Sequence, residues 1–217
     1  MADNTSRTGV SYATPEILTY LEALHAPMDA ALRHAFDAPA RAAVPAIQLG
    51  HHEAAFLGWL LRLIGASNVV EVGTLAGFSG IHLARALPPH GHLYTCERES
   101  LHVTVAREAF AKANLADRVT VLEGAARESL ATLAPRGPFD AIFVDADKGN
   151  YDHYAAWAAD HLRPGGLLIG DNVFFFGRLL TEEPEAMAMR RFHEIAARRF
   201  ESCIVPTPDG LLLGRRR

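Results

Sequence analysis

Two short runs of oxygen-bearing side chains carry the chemical interest of this 217-residue sequence. Val144-Asp145-Ala146-Asp147-Lys148 closes the apolar run at residues 141–144, and Gly170-Asp171-Asn172 follows another at 166–169. Each acid therefore stands where a buried strand would leave its sheet. On neighbouring parallel strands, Asp145, Asp171 and Asn172 would present three hard oxygen donors on one rim. Magnesium, manganese or calcium takes such ligands and keeps positions open for water or another molecule. A cation in that place makes a hydroxyl group more acidic, because it stabilises the oxyanion. Lys148 lies just beyond Asp145, where it would take the hydroxyl proton or stabilise the resulting anion. Taken singly, Asp171-Asn172 is ordinary turn chemistry and Lys148 an ordinary solvated charge. The information is in their pairing at two strand ends.

A second constellation belongs to the first strand end. Glu71-Val72-Gly73-Thr74-Leu75-Ala76-Gly77-Phe78-Ser79 ends a strand and opens a helix. Ligands of doubly wound sheets sit at such carboxyl ends. Gly73 and Gly77 let a backbone pass close to a ligand. Their spacing is not GxGxxG, since Leu75 and Phe78 stand at the other glycine positions, so a pyrophosphate on the helix N-terminus is not indicated. Glu97 closes the next strand, where a carboxylate accepts both hydrogen bonds of a ribose diol. The glycine loop, Ser79 and Glu97 together favour an adenosine-type ligand without a pyrophosphate.

The elements that must position these residues follow from periodicity. Thr14-Pro15-Glu16 reads as a helix start, an N-cap hydroxyl followed by proline and an acid. Ile17, Leu18, Leu21 and Leu24 continue it at helical spacing. Further helices are predicted at residues 30–36 and 51–63, with the Pro39 and Pro45 region between them. From Asn68 the pattern alternates. Strands are predicted at 69–72, 93–96, 119–122, 141–144 and 166–169, and helices at 78–87, 101–113, 127–133 and 151–162. A helix at 184–200 and two short runs at 203–205 and 211–213 close the chain. Pro206 to Gly210 supply turn residues between those runs, so they pair as an antiparallel hairpin. Apolar strands alternating with helices imply a parallel sheet covered on both faces. The predicted fold is α/β, a doubly wound, Rossmann-like sheet with an antiparallel C-terminal hairpin. Residues 1–66 form a helical extension of the same domain, a lid or dimer arm, and residues 67–217 the ligand-binding core.

Composition narrows the function classes. Hydrophobic residues make up 49 % and charged residues 21 %, which is a globular rather than a disordered balance. A net charge of −4 gives no electrostatic case for nucleic acid, and Arg215-Arg216-Arg217 reads as a solvated end. Cys96 and Cys203 form no CxxC pair, so neither a disulfide framework nor a thiolate zinc site is indicated, and a reducing cytoplasm is the expected compartment. Residues 1–10 are polar with no signal-like apolar stretch, and no run is long enough to span a membrane. The 11 histidines complete no HExxH pattern. His51, His52, His90 and His92 read as surface or satisfied residues. Of the 21 basic side chains only Lys112 and Lys148 are lysines, which makes the one at the strand end more conspicuous.

With these residues in place, the sequence resembles the cation-dependent O-methyltransferases of the caffeoyl-CoA and catechol type, in particular their small bacterial members. The resemblance covers roughly residues 45–217. It rests on Val70-Glu71-Val72-Gly73 with Gly77-Phe78-Ser79, on Phe139-Asp140 through Asp145-Ala146-Asp147-Lys148, on Pro164-Gly165-Gly166 and on Gly170-Asp171-Asn172-Val173. Pro208-Asp209-Gly210-Leu211 is similar to the family's closing hairpin. The resemblance implies a class I methyltransferase sheet and S-adenosylmethionine as cofactor, with Glu71, Gly73, Thr74, Ser79 and Glu97 in contact with it. Ala126 would border the adenine, Asp147 would receive the amino group, and Leu49 would serve at most through its backbone. Asp145, Asp171 and Asn172 would bind the divalent cation, most simply magnesium. Asp145 would also border cofactor and substrate, and Lys148 would be the base. The implied partner is a small aromatic hydroxyl compound with vicinal oxygens, and the implied assembly a homodimer. Phe176 stands where plant members often carry a substrate-contacting asparagine. No lysine lies between Tyr12 and Pro39 to meet a coenzyme A phosphate, which argues against a coenzyme A ester. Phe174 to Phe176 are expected to wall an aromatic substrate, or else to pack. Two other readings stay open, a nucleotide-dependent oxidoreductase and a non-catalytic binding module on the same fold.

Overall fold

The computed structural model describes residues 12–217. The polar segment at 1–10 lies outside them. Five parallel strands form the centre: β1 (Asn68–Val72), β2 (His92–Glu97), β3 (Val119–Glu123), β4 (Phe139–Val144) and β5 (Leu162–Gly170). β6 (Phe200–Val205) and β7 (Leu211–Arg216) form the antiparallel hairpin, with β7 antiparallel to β5. The order across the sheet is β3-β2-β1-β4-β5-β7-β6. Fold class, parallel centre and terminal hairpin match the sequence reading. The direction of winding reverses between β1 and β4, which is the crevice where such sheets take ligands.

Alternation along the strands divides the core. Val69, Ala141, Phe143, Leu167 and Ile169 face one helical layer, and Val70, Val72, Ile142, Val144 and Leu168 face the other. The first layer holds α4 (His51–Leu63), α5 (Phe78–Ala86) and α6 (Ser100–Lys112). The second holds α7 (Ala126–Leu133), α8 (Tyr151–His161) and α9 (Pro184–Arg199). Burial on both faces is why these strands read as unbroken apolar runs.

The N-terminal helices are α1 (Pro15–His25), α2 (Ala30–Phe36) and α3 (Ala38–Arg41). Thr14 Oγ1 accepts from Ile17 N at 3.4 Å and Asp29 from Leu32 N at 2.9 Å, each satisfying an otherwise free donor of the first turn. α3 is an addition to the sequence reading, which placed only a separator there. Pro39 lies in its first turn, where its missing N–H costs nothing. α1 buries none of its residues. It is held through α4, where His52 Nε2 lies 3.2 Å from Leu18 O and buried His51 Nε2 lies 2.5 Å from Ala26 O. These histidines serve the backbone. Among the described residues no helix is long and apolar enough to cross a membrane. The arginine tail is largely solvated, as expected, but it is also ordered against the fold. Arg215 and Arg216 extend β7, and Arg217 Nη1 donates to Arg198 O at 2.9 Å, meeting a free carbonyl at the end of α9.

The strand ends are level. Val72 pairs with Cys96 and Val144, and Val144 pairs with Gly170. The register continues one residue beyond: Gly73 N donates to Cys96 O at 3.0 Å, Asp145 N to Val72 O at 2.9 Å and Asp171 N to Val144 O at 3.0 Å. Glycine loop, Asp145 and Asp171 therefore leave the sheet side by side.

At the opposite edge Asp140 ties three segments. Its Oδ2 accepts from Ser67 N at 2.7 Å and Asn68 N at 2.8 Å, and its Oδ1 from Arg163 Nε at 2.5 Å. Burial pushes this carboxyl up, but Arg163 and the two backbone donors outweigh it and hold it below the usual range. Asp140→Ala leaves two strand-entry N–H groups unpaired and takes the carboxylate from Arg163, which keeps only the Pro164 and Ile64 carbonyls, and we expect a loss of about 3 kcal/mol in chemical denaturation. A loss below roughly 1 kcal/mol would show that water replaces the carboxylate without cost.

Candidate active site

A cavity of about 740 Å³ opens at the level strand ends. Gly73 has φ +103°, and a Cβ there would lie 1.9 Å from Asp145 O. Gly77 has φ +81°, and a Cβ there would lie 3.1 Å from the Phe110 ring. The two glycines were expected to clear a ligand. They also clear the protein itself, the β4 end in one case and α6 in the other, and Gly73 lines the cavity.

Residues expected to meet a cofactor divide into two groups. Leu49, Gly73, Thr74, Ser79, Glu97, Ala126, Asp145 and Asp147 line the cavity. Glu71 stands behind the loop, fully buried, so the direct contact expected of it is not a feature of the cavity wall. Its Oε1 accepts from Ser79 Oγ and its Oε2 from Thr95 Oγ1, both at 2.6 Å. Burial pushes the Glu71 carboxyl up to about 7; the two hydroxyl donors oppose the rise, and Asp145 and Glu97 add to it. Glu97 is held open to the cavity by its own loop. Its Oε2 accepts from Leu75 N at 2.8 Å, and its Oε1 from Glu99 N at 3.0 Å with His102 Nδ1 at 3.4 Å. Asp147 accepts from Tyr154 OH at 2.6 Å and also from Asn150 Nδ2.

On the rim, Lys148 Nζ lies 3.2 Å from Asp145 Oδ1. Asp171 is 4 % exposed. Its Oδ2 accepts from Asn172 Nδ2 at 3.0 Å, while its Oδ1 is buried without a partner. Burial, and next Asp145, push the Asp171 carboxyl up to about 7. Asn172 takes φ +53°, a left-handed conformation that asparagine tolerates better than most residues. Among the described residues no group of three or more His, Cys, Asp or Glu is arranged to hold a metal. The predicted donor set is of another kind, two carboxylates and an amide. An orphaned buried oxygen, a carboxyl raised by its neighbour Asp145 and an all-oxygen donor set suit a divalent cation.

Several residues in or behind the cavity wall escaped the sequence reading. Tyr151, one helical turn beyond Lys148, receives Lys148 Nζ at 2.7 Å on its hydroxyl. Burial, with Asp145 and Asp171, holds that hydroxyl protonated well above the ordinary tyrosine range. Tyr154, Asn150 and Asp209 also line the wall. Glu53 of α4 sits close enough to feel Asp209 and Asp145; burial, the largest effect, and those two charges raise its carboxyl. Only the i,i+3 spacing of Lys148 and Tyr151 could have been seen in the sequence. The three phenylalanines take different roles. Phe174 packs on Gly210, Phe175 is buried beneath Arg178 at 4.7 Å, and Phe176 is 57 % exposed at the cavity wall. Phe175 and Phe176 take φ +49° and +52°.

Glu71 gives a pH signature. Its folded-state value, about 7, lies above the ordinary 4.5, so the folded chain binds the proton more tightly than the unfolded one. The corresponding stability is complete below 4.5 and is lost as pH rises through about 7. Asp171 contributes with the same sign. Thermal melts of Glu71→Gln across this window should lose about half of the wild-type slope. An unchanged slope would mean that Glu71 is ionised throughout.

Comparison with known proteins agrees with this geometry. The O-methyltransferase family matches residues 24–217. A catechol O-methyltransferase from Niastella koreensis is 42 % identical over 170 residues, covering 76 % of this chain and 77 % of the relative. A catechol O-methyltransferase from Mycobacterium tuberculosis is 40 % identical over 185 residues, covering 85 % and 81 %. An O-methyltransferase from Streptomyces achromogenes involved in tomaymycin synthesis, solved in complex with SAM, superposes with a TM-score of 0.86 at 34 % identity, covering 93 % of this chain and 96 % of that one. The oxidoreductase reading has no counterpart among these relatives. Strand order, cavity placement and these matches agree, and the chain belongs to the O-methyltransferase family.

Proposed function

We propose that this protein transfers the methyl group of S-adenosylmethionine to a hydroxyl oxygen of a small catechol-like acceptor, with a divalent cation, most simply magnesium, at Asp145, Asp171 and Asn172. The observation that carries the reading is Asp171 Oδ1, buried and unpartnered on the same rim as Asp145. Its similarity to catechol O-methyltransferases and to a SAM-bound O-methyltransferase supports it.

The chain's residues divide the work. Glu97, already oriented by Leu75 N and Glu99 N, accepts from the ribose hydroxyls. Asp147 takes the amino group, Ala126 borders the adenine, and the Leu49 segment closes the opposite wall. S-adenosylmethionine supplies an electrophilic methyl, and the cation supplies charge that acidifies two vicinal hydroxyls. Lys148 Nζ is the proton acceptor or the compensating charge beside the reacting oxygen. Phe176 offers an aromatic face to the acceptor ring and excludes water from one side. Holding donor and acceptor in line supplies much of the acceleration. The described part of the N-terminal extension, residues 12–66, serves as a cap on the core, with Ile47, Gln48 and Leu49 in the cavity wall. Exposed Ile17, Tyr20 and Leu24 on α1 suit a second copy in a cytoplasmic homodimer.

Calorimetry and a methylation assay with catechol, in magnesium and in chelator, test this. Donor binding should persist in Asp171→Ala within a few-fold, while methylation falls by about 100-fold. Equal methylation in chelator, or no transfer to any catechol with metal present, overturns the proposal.

A further inference from the structure

Tyr151 joins the two halves of the rim through one atom. Its side chain is wholly buried at the start of α8. Its hydroxyl oxygen receives Lys148 Nζ at 2.7 Å and lies 3.0 Å from Asp171 O and 3.2 Å from Val144 O. A phenol carries one proton and two lone pairs. With Lys148 donating to it, its own proton goes to one of the two carbonyls, at the ends of β5 and β4. Lys148 Nζ also lies 3.2 Å from Asp145 Oδ1 and 4.7 Å from the Tyr151 ring centroid. Two of the lysine's N–H directions are thus occupied by the protein, and the remaining one is left for the cavity that Lys148 lines. The ring itself packs edge-on against Phe192 at 5.3 Å, a contact that does not need the hydroxyl.

We propose that Tyr151 is a positioning residue for methyl transfer. Its hydroxyl aims Lys148 Nζ at the acceptor oxygen and, through Asp171 O, couples that aim to the strand end that carries the rim. The inference rests on Lys148 being the group beside the reacting hydroxyl. Without the phenol oxygen, Lys148 keeps only Asp145 as a fixed partner and samples other rotamers at the cost of aim.

Tyr151→Phe preserves the ring and removes only the shared atom. In the full-length protein it should lower kcat about tenfold while the donor KM stays within about twofold, because no proposed donor contact is touched. In a Lys148→Met background the same change should cause no further fall, since the residue it positions is gone. The chain has only two lysines, so [13C-ε]lysine labelling gives two NMR signals. The Lys148 signal should move in Tyr151→Phe, and that of Lys112, which pairs with Glu108 at 3.6 Å on the far side of α6, should not. An unchanged kcat, an equal fold-loss in the Lys148→Met background, or an unmoved Lys148 signal overturns the proposal. If the wild type methylates no catechol, the methyltransferase reading fails by itself, and the Lys148 signal still decides whether Tyr151 holds the lysine.

Discussion

Backbone hydrogen bonds continuing past the last paired residues of β1, β4 and β5 set the geometry on which the site depends. Asp145 N donates to Val72 O, and Asp171 N to Val144 O, so each chain segment leaves the sheet braced by its neighbour. A slip of one residue at either pair would turn the acid to the other face, because side chains alternate along a strand. The apolar residues of β4 and β5 prevent that slip, since Ile142 and Phe143 fill opposite core layers. Core packing therefore fixes which carboxylates meet. Gly73 tightens the arrangement, because the Asp145 carbonyl occupies the space a side chain would need.

That arrangement concentrates negative charge that the fold does not neutralise by itself. Glu71 and Asp171 are both raised to about 7, chiefly by burial, and Asp145 raises both. Glu53 is raised in the same direction. Among these carboxylates, Lys148 pairs with Asp145 alone. A region that tolerates such repulsion is poised to gain from a cation, and binding to the native state then adds to stability by mass action.

Most of this architecture was legible from periodicity. Strand and helix positions agree closely because apolar runs were punctuated by glycine, proline and acids, whose local preferences are strong. α3 escaped because prolines at 39 and 45 read as a break, although Pro39 suits a helix start. The residues in or behind the cavity wall near the two acid motifs were harder. Glu53 and Asp209 come from distant segments, and only tertiary packing brings them near Asp145. Tyr151 is close in sequence, but only the fold brings its hydroxyl to the Val144 and Asp171 carbonyls. The three phenylalanines could not be told apart by type, since their different roles depend on backbone dihedrals that no side-chain pattern encodes.

The clamp between the C-terminal hairpin and the phenylalanine loop has an evolutionary side. Val173 N and Phe174 N donate to Gly210 O and Asp209 O, and Gly210 leaves no room for a side chain beneath Phe174. Phe176 stands outside this clamp, more than half exposed. Mutational drift is thus channelled: Gly210 and Phe174 are constrained together, whereas position 176 can change its chemistry without disturbing the strands below. Variation at position 176 therefore reshapes the cavity wall while the strand ends keep their register.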